Sequence, residues 1–279
     1  MKDLLKNMIQ YIFDLTSGST TDTSMLTKNL NDYLPALYTY ATLVMDIVVK
    51  PIAYAILGFF CLMELKKIAE KIESTGGGNS MLGLKLIGMM GLKIGICTLV
   101  LANLSLVLRA ILSIGIEITT QIAVLDLAGG NSSSMETTKM LAAIEDLGTI
   151  ESIAAWSVIF IVWLVAIVAH YMTQIIFAMR FFELYVLYAV SPLPIATFPS
   201  DELGQIGKNF LKRFAAASLQ GVLLFLIISF FPILMRAAIS LNASDDLFMG
   251  LASLMMYSVA LILCVFHAGQ WAKSITTAT

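Results

Sequence analysis

The sequence predicts an all-α protein that crosses a membrane several times, and two observations support that fold class. Hydrophobic residues make up 58% of the 279 residues and charged residues only 13%, with a mean hydropathy of +0.87. A soluble domain of this size could not bury so much apolar surface. The apolar residues also fall into long runs, and each run covers the roughly 20 residues that a helix needs to cross a bilayer.

Charge, cysteine usage and the lack of motifs argue against several classes of protein. A formal net charge of −2 is unsuited to holding nucleic acid on a basic surface. The three cysteines are odd in number and have no Cys-x-x-Cys spacing, which argues against a disulfide framework or a zinc site. The chain has no His-Glu-x-x-His, Gly-x-Ser-x-Gly or P-loop motif. We therefore expect a non-enzymatic protein with no metal and no cofactor.

The chain begins with a predicted amphipathic helix. Within residues 1–15 the apolar positions recur at steps of three and four residues. Either a bilayer surface or a partner protein could cover that apolar face. Residues 16–32 are rich in Ser and Thr and predict a linker. We assign residues 1–37 to an extracytoplasmic N-terminal segment.

Five apolar runs then predict five transmembrane helices, at about residues 38–63, 84–124, 153–179, 214–241 and 247–270. The second run is too long for one crossing at about 1.5 Å per residue, so we expect it to protrude or bend. Its glycines Gly88, Gly91 and Gly95 place small residues on one face, an arrangement used for close helix packing.

The distribution of Lys and Arg predicts the orientation. The segment from Glu64 to Lys85 carries Lys66, Lys67 and Lys71 and is therefore expected in the cytoplasm. Residues 126–152 are mainly acidic and are expected outside. The prediction is an N-out, C-in protein with two helices and a cytoplasmic loop in 38–125, an extracytoplasmic loop in 126–152 and a membrane core in 153–279.

A cluster of prolines interrupts the membrane core. Pro192, Pro194 and Pro199 are half of the six prolines in the chain, and they follow the apolar run 181–190 directly. Each removes a backbone donor and crowds the preceding turn. If 181–199 were a sixth span, the basic residues after it would lie outside, against the charge trend. We therefore predict a re-entrant segment, 181–199, which neighbouring subunits shelter, although a sixth span stays open.

Charged residues at membrane depth give the candidate site residues. Asp46 and Lys50 are four residues apart, in the order that favours an ion pair along a helix. Such a pair is costly in a membrane and faces a bundle interior or water, although it can be a purely structural pair. Arg180 and Glu183 stand at the neck of the proline segment. Together with Ser191 and the three prolines they form the predicted translocation element.

After the prolines, Ser200 is predicted to cap a short helix. A basic trio follows, consisting of Lys208, Lys212 and Arg213. These residues could contact cytoplasmic partners or lipid phosphates. Ordinary positive-inside anchoring explains the same pattern.

One stretch resembles a known family. The sequence from Arg180, Arg-Phe-Phe-Glu-Leu-Tyr-Val-Leu-Tyr-Ala-Val-Ser-Pro-Leu-Pro-Ile-Ala, is followed by Gly-Lys-Asn-Phe-Leu-Lys-Arg-Phe from Gly207 and by Leu219-Gln220. It is similar to the core of the TrbL family of conjugal transfer proteins over about residues 150–273.

The resemblance implies an assembly or channel subunit of a type IV secretion system in the bacterial inner membrane. Several copies would form a ring beside other envelope subunits and ATPases, and DNA, protein or pilin would pass nearby. The alternative function is a stand-alone secondary transporter, in which Asp46, Glu183 or His170 would relay protons at the broken segment. Transporters commonly pair two broken helices. Here one broken element is visible in the sequence, which favours the secretion subunit.

Overall fold

A computed structural model describes residues 2–16, 28–74, 80–124, 149–242 and 247–277, and these residues are helical almost throughout, without a strand. The helices are α1 (Lys2–Thr16), α2 (Leu30–Tyr33), α3 (Pro35–Leu43), α4 (Lys50–Ser74), α5 (Ser80–Ala102), α6 (Leu104–Val124), α7 (Thr149–Val190), α8 (Pro192–Ile195), α9 (Gly204–Asn242) and α10 (Leu247–Thr276). A π-helix, Val44–Val49, joins α3 to α4. The predicted all-α class is confirmed.

Six helical stretches among the described residues are long and apolar enough to cross a membrane, so the chain is a multi-pass membrane protein. The predicted count of five differs because the run 84–124 is broken at Asn103, between α5 and α6. The Asn103 side chain donates to the Leu99 carbonyl at 3.0 Å. The same carbonyl also accepts the Asn103 backbone N–H at 3.1 Å, and the Asn103 carbonyl accepts the Val107 N–H at 3.3 Å, so these backbone bonds persist across the break.

The boundaries around the proline segment also differ from those predicted. Residues 153–179 and 181–190 form one helix, α7, which runs without interruption through Arg180 to Val190. The prolines end that helix, but Pro192 then opens the short helix α8, because proline at a first helical position lacks only a donor that is unpaired there anyway. The predicted short helix after Ser200 and the span 214–241 are likewise one helix, α9.

The described residues form two compact units. The first comprises 1–28, 115–180 and 219–272, and its core contains the apolar face of α1, with Leu5, Ile9 and Ile12 fully buried beside residues of α7, α9 and α10. The chain itself therefore covers the face that we expected a bilayer or a partner to cover.

The second unit comprises 29–114, 181–218 and 273–279. Its core joins α3, α4, α5 and α6 to the end of α7 and the start of α9, and Tyr188 and Phe214 are among its fully buried side chains. Lys66, Lys67 and Lys71, predicted on a cytoplasmic loop, lie on α4. The glycine turn 76–78, the loop 126–148 and most of the linker 16–32 lie outside the described residues.

Candidate functional site

The proline segment is a compact, buried turn in the second unit. The helix α7 ends at Val190, and the Ser191 hydroxyl donates to the Tyr188 carbonyl at 2.8 Å. Ser191, Pro192 and Pro199 are buried, and Pro194 is half-buried. The chain then turns through 196–203 and enters α9 at Gly204. The irregular backbone is therefore covered by protein, which a position at membrane depth would require.

The cover over this turn comes from the chain itself, which corrects the expectation that neighbouring subunits shelter it. The Cys97 thiol of α5 donates to the Ile195 carbonyl at 3.5 Å, and Ser191 contacts Met45 of the π-helix at 3.8 Å. At Gly207 the α9 backbone approaches so closely that an added Cβ would lie 2.7 Å from the Pro194 carbonyl oxygen. Only glycine accommodates that approach.

Ionic contacts fix the end of the turn to two helices. Glu64 of α4 is 7% exposed and accepts the Asp201 backbone N–H at 3.0 Å. Lys67, also on α4, lies 2.7 Å from the Glu202 carboxylate and 3.7 Å from that of Glu64. Lys93 of α5 pairs with the Asp201 side chain. We name these five residues the exit cluster.

The exit cluster lowers the pKa of Asp201, one of its two exposed acids. The pKa of Asp201 is lowered from its ordinary value of 3.8, mainly by the hydrogen bond from Lys93, against a smaller opposing effect of burial. The charges of Lys93, Lys67 and Lys71 lower it further. The Ser200 hydroxyl accepts the Leu203 N–H at 3.3 Å, so it caps the turn 201–203 that precedes α9, whereas the prediction was a cap on the helix itself. The carboxylate of Asp201 is thus held ionised beside the start of α9.

Arg180 and Glu183, which the sequence places together, face different partners. The Arg180 side chain is 6% exposed and lies against Gly221 of α9 in the first unit. In the second unit the Glu183 carboxylate accepts from the Arg213 guanidinium at 3.3 Å. Both contacts join α7 to α9. Each residue therefore attaches α7 to α9, Arg180 within the first unit and Glu183 within the second.

Asp46 and Lys50 form an ion pair of 2.8 Å, and its surroundings could not be read from the sequence. Asp46 lies in the π-helix, and the Lys50 ammonium also donates to the Ala102 carbonyl at 3.5 Å. Ala102 is the last residue of α5, where helical carbonyls lack partners and a cation is favoured. Lys50 therefore joins a π-helix to the break between α5 and α6, and π-helical turns occur frequently at functional sites.

Sequence reasoning missed a cluster of tyrosines that attaches residues 30–38 to the end of α7. The Tyr185 hydroxyl donates to the Leu30 carbonyl at 2.6 Å and accepts the Leu34 N–H at 3.2 Å. The Tyr38 and Tyr188 hydroxyls are 3.4 Å apart, and the Tyr33 ring stacks on that of Phe181 with centroids 4.0 Å apart. Tyr185 and Tyr188 are three positions apart on one helix and so lie on the same face. That spacing was the one feature of the sequence that could have indicated the cluster.

The other predicted site residues lie at the surface of the chain. Lys66 pairs with Glu70 at 3.5 Å, with both side chains largely exposed. Lys208 is exposed and Lys212 half-buried on α9. Gly88, Gly91 and Gly95 are exposed, and a Cβ added at each would meet nothing within 4 Å. Within the described chain these glycines support no close helix contact.

The described residues contain no group of three His, Cys, Asp or Glu side chains that could hold a metal ion. The ion pairs among these residues are isolated pairs and those of the exit cluster. Such an arrangement can attach helices to one another and hold a turn in place.

Comparison with known proteins identifies a family. The family described as TrbL/VirB6 plasmid conjugal transfer like protein matches residues 17–192, which is more than half of the chain. The matched range includes Arg180, Glu183, Ser191 and Pro192 and ends there. No curated protein and no solved structure matches the chain.

Proposed function

Because the chain belongs to the TrbL/VirB6 plasmid conjugal transfer-like family, and is thereby a component of conjugal transfer machinery, we propose that it is a non-enzymatic channel or assembly subunit of a type IV secretion system. It would line or support the path of a DNA or protein substrate, or the base of the pilus. The family match over 17–192 carries this proposal, and it confirms the resemblance found in the sequence, although that resemblance covered 150–273.

The proposed location is the bacterial cytoplasmic membrane. The six apolar helices and the family support a multi-pass protein there. The proposed N-out, C-in orientation rests on the distribution of Lys and Arg alone. It requires an odd number of crossings, so at most five of the six apolar helices would cross completely. The proposed partners are other envelope subunits, the ATPases of the machine, further copies of this chain in a ring and, transiently, the transported substrate. Gly88, Gly91 and Gly95 are exposed and would be available to another copy.

Within this subunit the proline segment would be a rigid element beside the transport path. Its turn is buried, and the exit cluster attaches it to α4 and α5. Arg180 and Glu183 would set the position of that element by attaching α7 to α9. Lys66, Lys208 and Lys212 would contact cytoplasmic partners or lipid phosphates. Such parts position a path and perform no chemistry.

A transfer assay tests the proposal. Donor cells that lack the chain are complemented with Arg180→Ala, Glu183→Ala or the control Glu70→Ala, which removes an exposed acid from α4. We expect the first two to reduce transfer at least tenfold with the wild-type amount of protein in the membrane, and the control to transfer normally. Wild-type transfer by a strain lacking the chain altogether would refute the proposed function. Wild-type transfer by both test variants would remove Arg180 and Glu183 from it.

Purification of the chain in detergent distinguishes the secretion subunit from the transporter. The secretion subunit is expected to purify as a ring or as part of a larger complex. A monomer that supports solute-dependent flux in liposomes would favour the transporter instead. In that case Asp46→Asn or Glu183→Gln should abolish the flux.

A further inference from the structure

A cavity in the second unit lies where the first span begins. Its volume is about 650 Å³, and Asn29, Asp32, Tyr38, Arg109 and Ser113 contribute polar groups to its wall. Asn29 and Asp32 precede Pro35, the first residue of the first apolar stretch. Leu30, Leu106 and Leu112 supply the apolar part of the wall. The wall of the cavity therefore combines polar side chains with leucines, as a site at the interface of a bilayer requires.

Two opposite charges line this cavity without pairing. Arg109 and Asp32 form no ion pair with each other or with another residue in the described part of the chain. The Arg109 Nε donates to the Ser105 carbonyl at 3.2 Å, one turn earlier on α6. The Asp32 carboxylate has only a long contact with the Asn29 amide, at 3.5 Å. The terminal guanidinium nitrogens and the carboxylate are thus both positioned by the chain and left available to a ligand.

We propose that this cavity binds the headgroup of a zwitterionic phospholipid, with the phosphate on Arg109 and the ammonium on Asp32. A guanidinium offers a planar fork of donors that matches two phosphate oxygens. A carboxylate is the natural partner of the ammonium, and the Asn29 side-chain amide can donate to a remaining oxygen. The leucines would contact the start of the acyl chains.

A phosphate group alone could also come from a soluble phosphate ester. The ammonium group, which would bind Asp32, distinguishes a zwitterionic headgroup from such an anion. A free phosphate would use Arg109 and leave Asp32 as a repelling neighbour. An anionic lipid such as phosphatidylglycerol would do the same. Phosphatidylethanolamine satisfies both charges, and it also satisfies the leucines. The inference concerns lipid binding only and does not depend on the proposed role in transfer.

Native mass spectrometry of the full chain in detergent tests the proposal. Phosphatidylethanolamine, phosphatidylglycerol, glycerophosphoethanolamine and inorganic phosphate are each titrated. We expect phosphatidylethanolamine to bind most tightly, Arg109→Gln to weaken both lipids about tenfold or more, and Asp32→Asn to weaken phosphatidylethanolamine alone. Lys273→Gln, which removes an exposed cation from the last turn of α10, is the control and should bind as the wild type does.

Each other result counts against the proposal. Unchanged lipid binding by Arg109→Gln overturns it, and so does an unchanged lipid preference in Asp32→Asn. Equal binding of inorganic phosphate and lipid assigns the cavity to a soluble anion instead. If Arg109→Gln does not fold, Ser113→Leu replaces it, because a leucine there fills the cavity from the exposed side of α6. Full lipid binding by Ser113→Leu overturns the proposal as well.

Discussion

The guanidinium of Arg180 lies directly against Gly221, so closely that a Cβ added to the glycine would stand 2.1 Å from the Arg180 Cζ. Arg180 belongs to α7 and Gly221 to α9, and both lie in the first unit. A charged side chain thus occupies a place between two apolar helices that exists only because one of them lacks a side chain. The pair explains how a buried arginine fits into this core.

Gly221→Ala should therefore destabilise the protein, although alanine is the better helix former by about 1 kcal/mol. The added methyl group displaces the buried guanidinium, and overpacking of this kind costs about 1–3 kcal/mol. Thermal unfolding in detergent measures the effect. Gly58→Ala is the matched control, because its Cβ would meet nothing within 4 Å, and it should keep or raise the melting temperature. In an Arg180→Ala background Gly221→Ala should become harmless, and a penalty that persists there would contradict the contact.

Gly207→Ala tests the contact between α9 and the proline segment. Its Cβ would lie 2.7 Å from the Pro194 carbonyl oxygen, and a backbone atom cannot move aside as a side chain can. We expect a lower melting temperature and faster proteolysis between residues 191 and 203. Gly88→Ala on α5, whose Cβ has open space around it, is the control. Equal stability of the two variants would show that the segment does not pack against α9 in solution.

Hydropathy and charge predicted the fold class, and the prolines predicted where α7 ends, because both are local properties of the sequence. The length of the run 84–124 predicted that it protrudes or bends, but not that it breaks at Asn103, since one asparagine in a long apolar run is not by itself a helix breaker. The continuity of α7 through Arg180 was missed for the opposite reason, because a charge inside an apolar run suggested a boundary that the fold does not make.

The candidate site was predicted only where its residues are neighbours along the chain. Asp46 and Lys50 are one helical turn apart, and their pairing follows from that spacing. The partner of Glu64 is the backbone of Asp201, 137 residues away, and the partner of Tyr185 is 155 residues away. No periodicity in one sequence specifies such contacts. The exit cluster and the tyrosine cluster therefore required the three-dimensional structure.

Glu64 should be the most sensitive acid of the exit cluster. Glu64→Ala leaves the Asp201 N–H without its acceptor in a buried place, and an unsatisfied buried group costs about 1–3 kcal/mol. Glu64→Gln retains a side-chain oxygen that can accept the same N–H, so it should be milder. Denaturation of the detergent-solubilised protein compares the two. Glu70→Gln, in the exposed part of α4, should be neutral, and a loss as large as that of Glu64→Ala would contradict the assignment.

The lowered pKa of Asp201 predicts a small dependence of stability on pH. A carboxyl whose folded-state pKa is depressed stabilises the fold above its ordinary pKa, and that contribution is lost as the pH falls through the lowered value. Both side chains of the Asp201–Lys93 pair are substantially exposed, so the effect should stay below about 1 kcal/mol and shrink in high salt. Melting temperatures between pH 7 and pH 3 measure it. Asp201→Asn should flatten the pH dependence of the melting temperature in that range. A variant profile that matches the wild type would show that the lowered pKa of Asp201 does not contribute to stability.

The ion pair of Asp46 and Lys50 permits a test that separates structure from function. Lys50→Met removes the cation that binds both Asp46 and the Ala102 carbonyl and leaves a carboxylate at membrane depth, which costs about 2.5–3.5 kcal/mol. Asp46→Leu combined with Lys50→Met removes both charges, and replacing a whole ion pair by apolar side chains is often neutral or stabilising. The double variant should therefore regain the stability that the single variant loses. If the pair has a role in transfer, the double variant will be stable and still transfer poorly. Normal transfer by the stable double variant would make the pair purely structural, and a double variant no more stable than Lys50→Met would contradict the energetic argument itself.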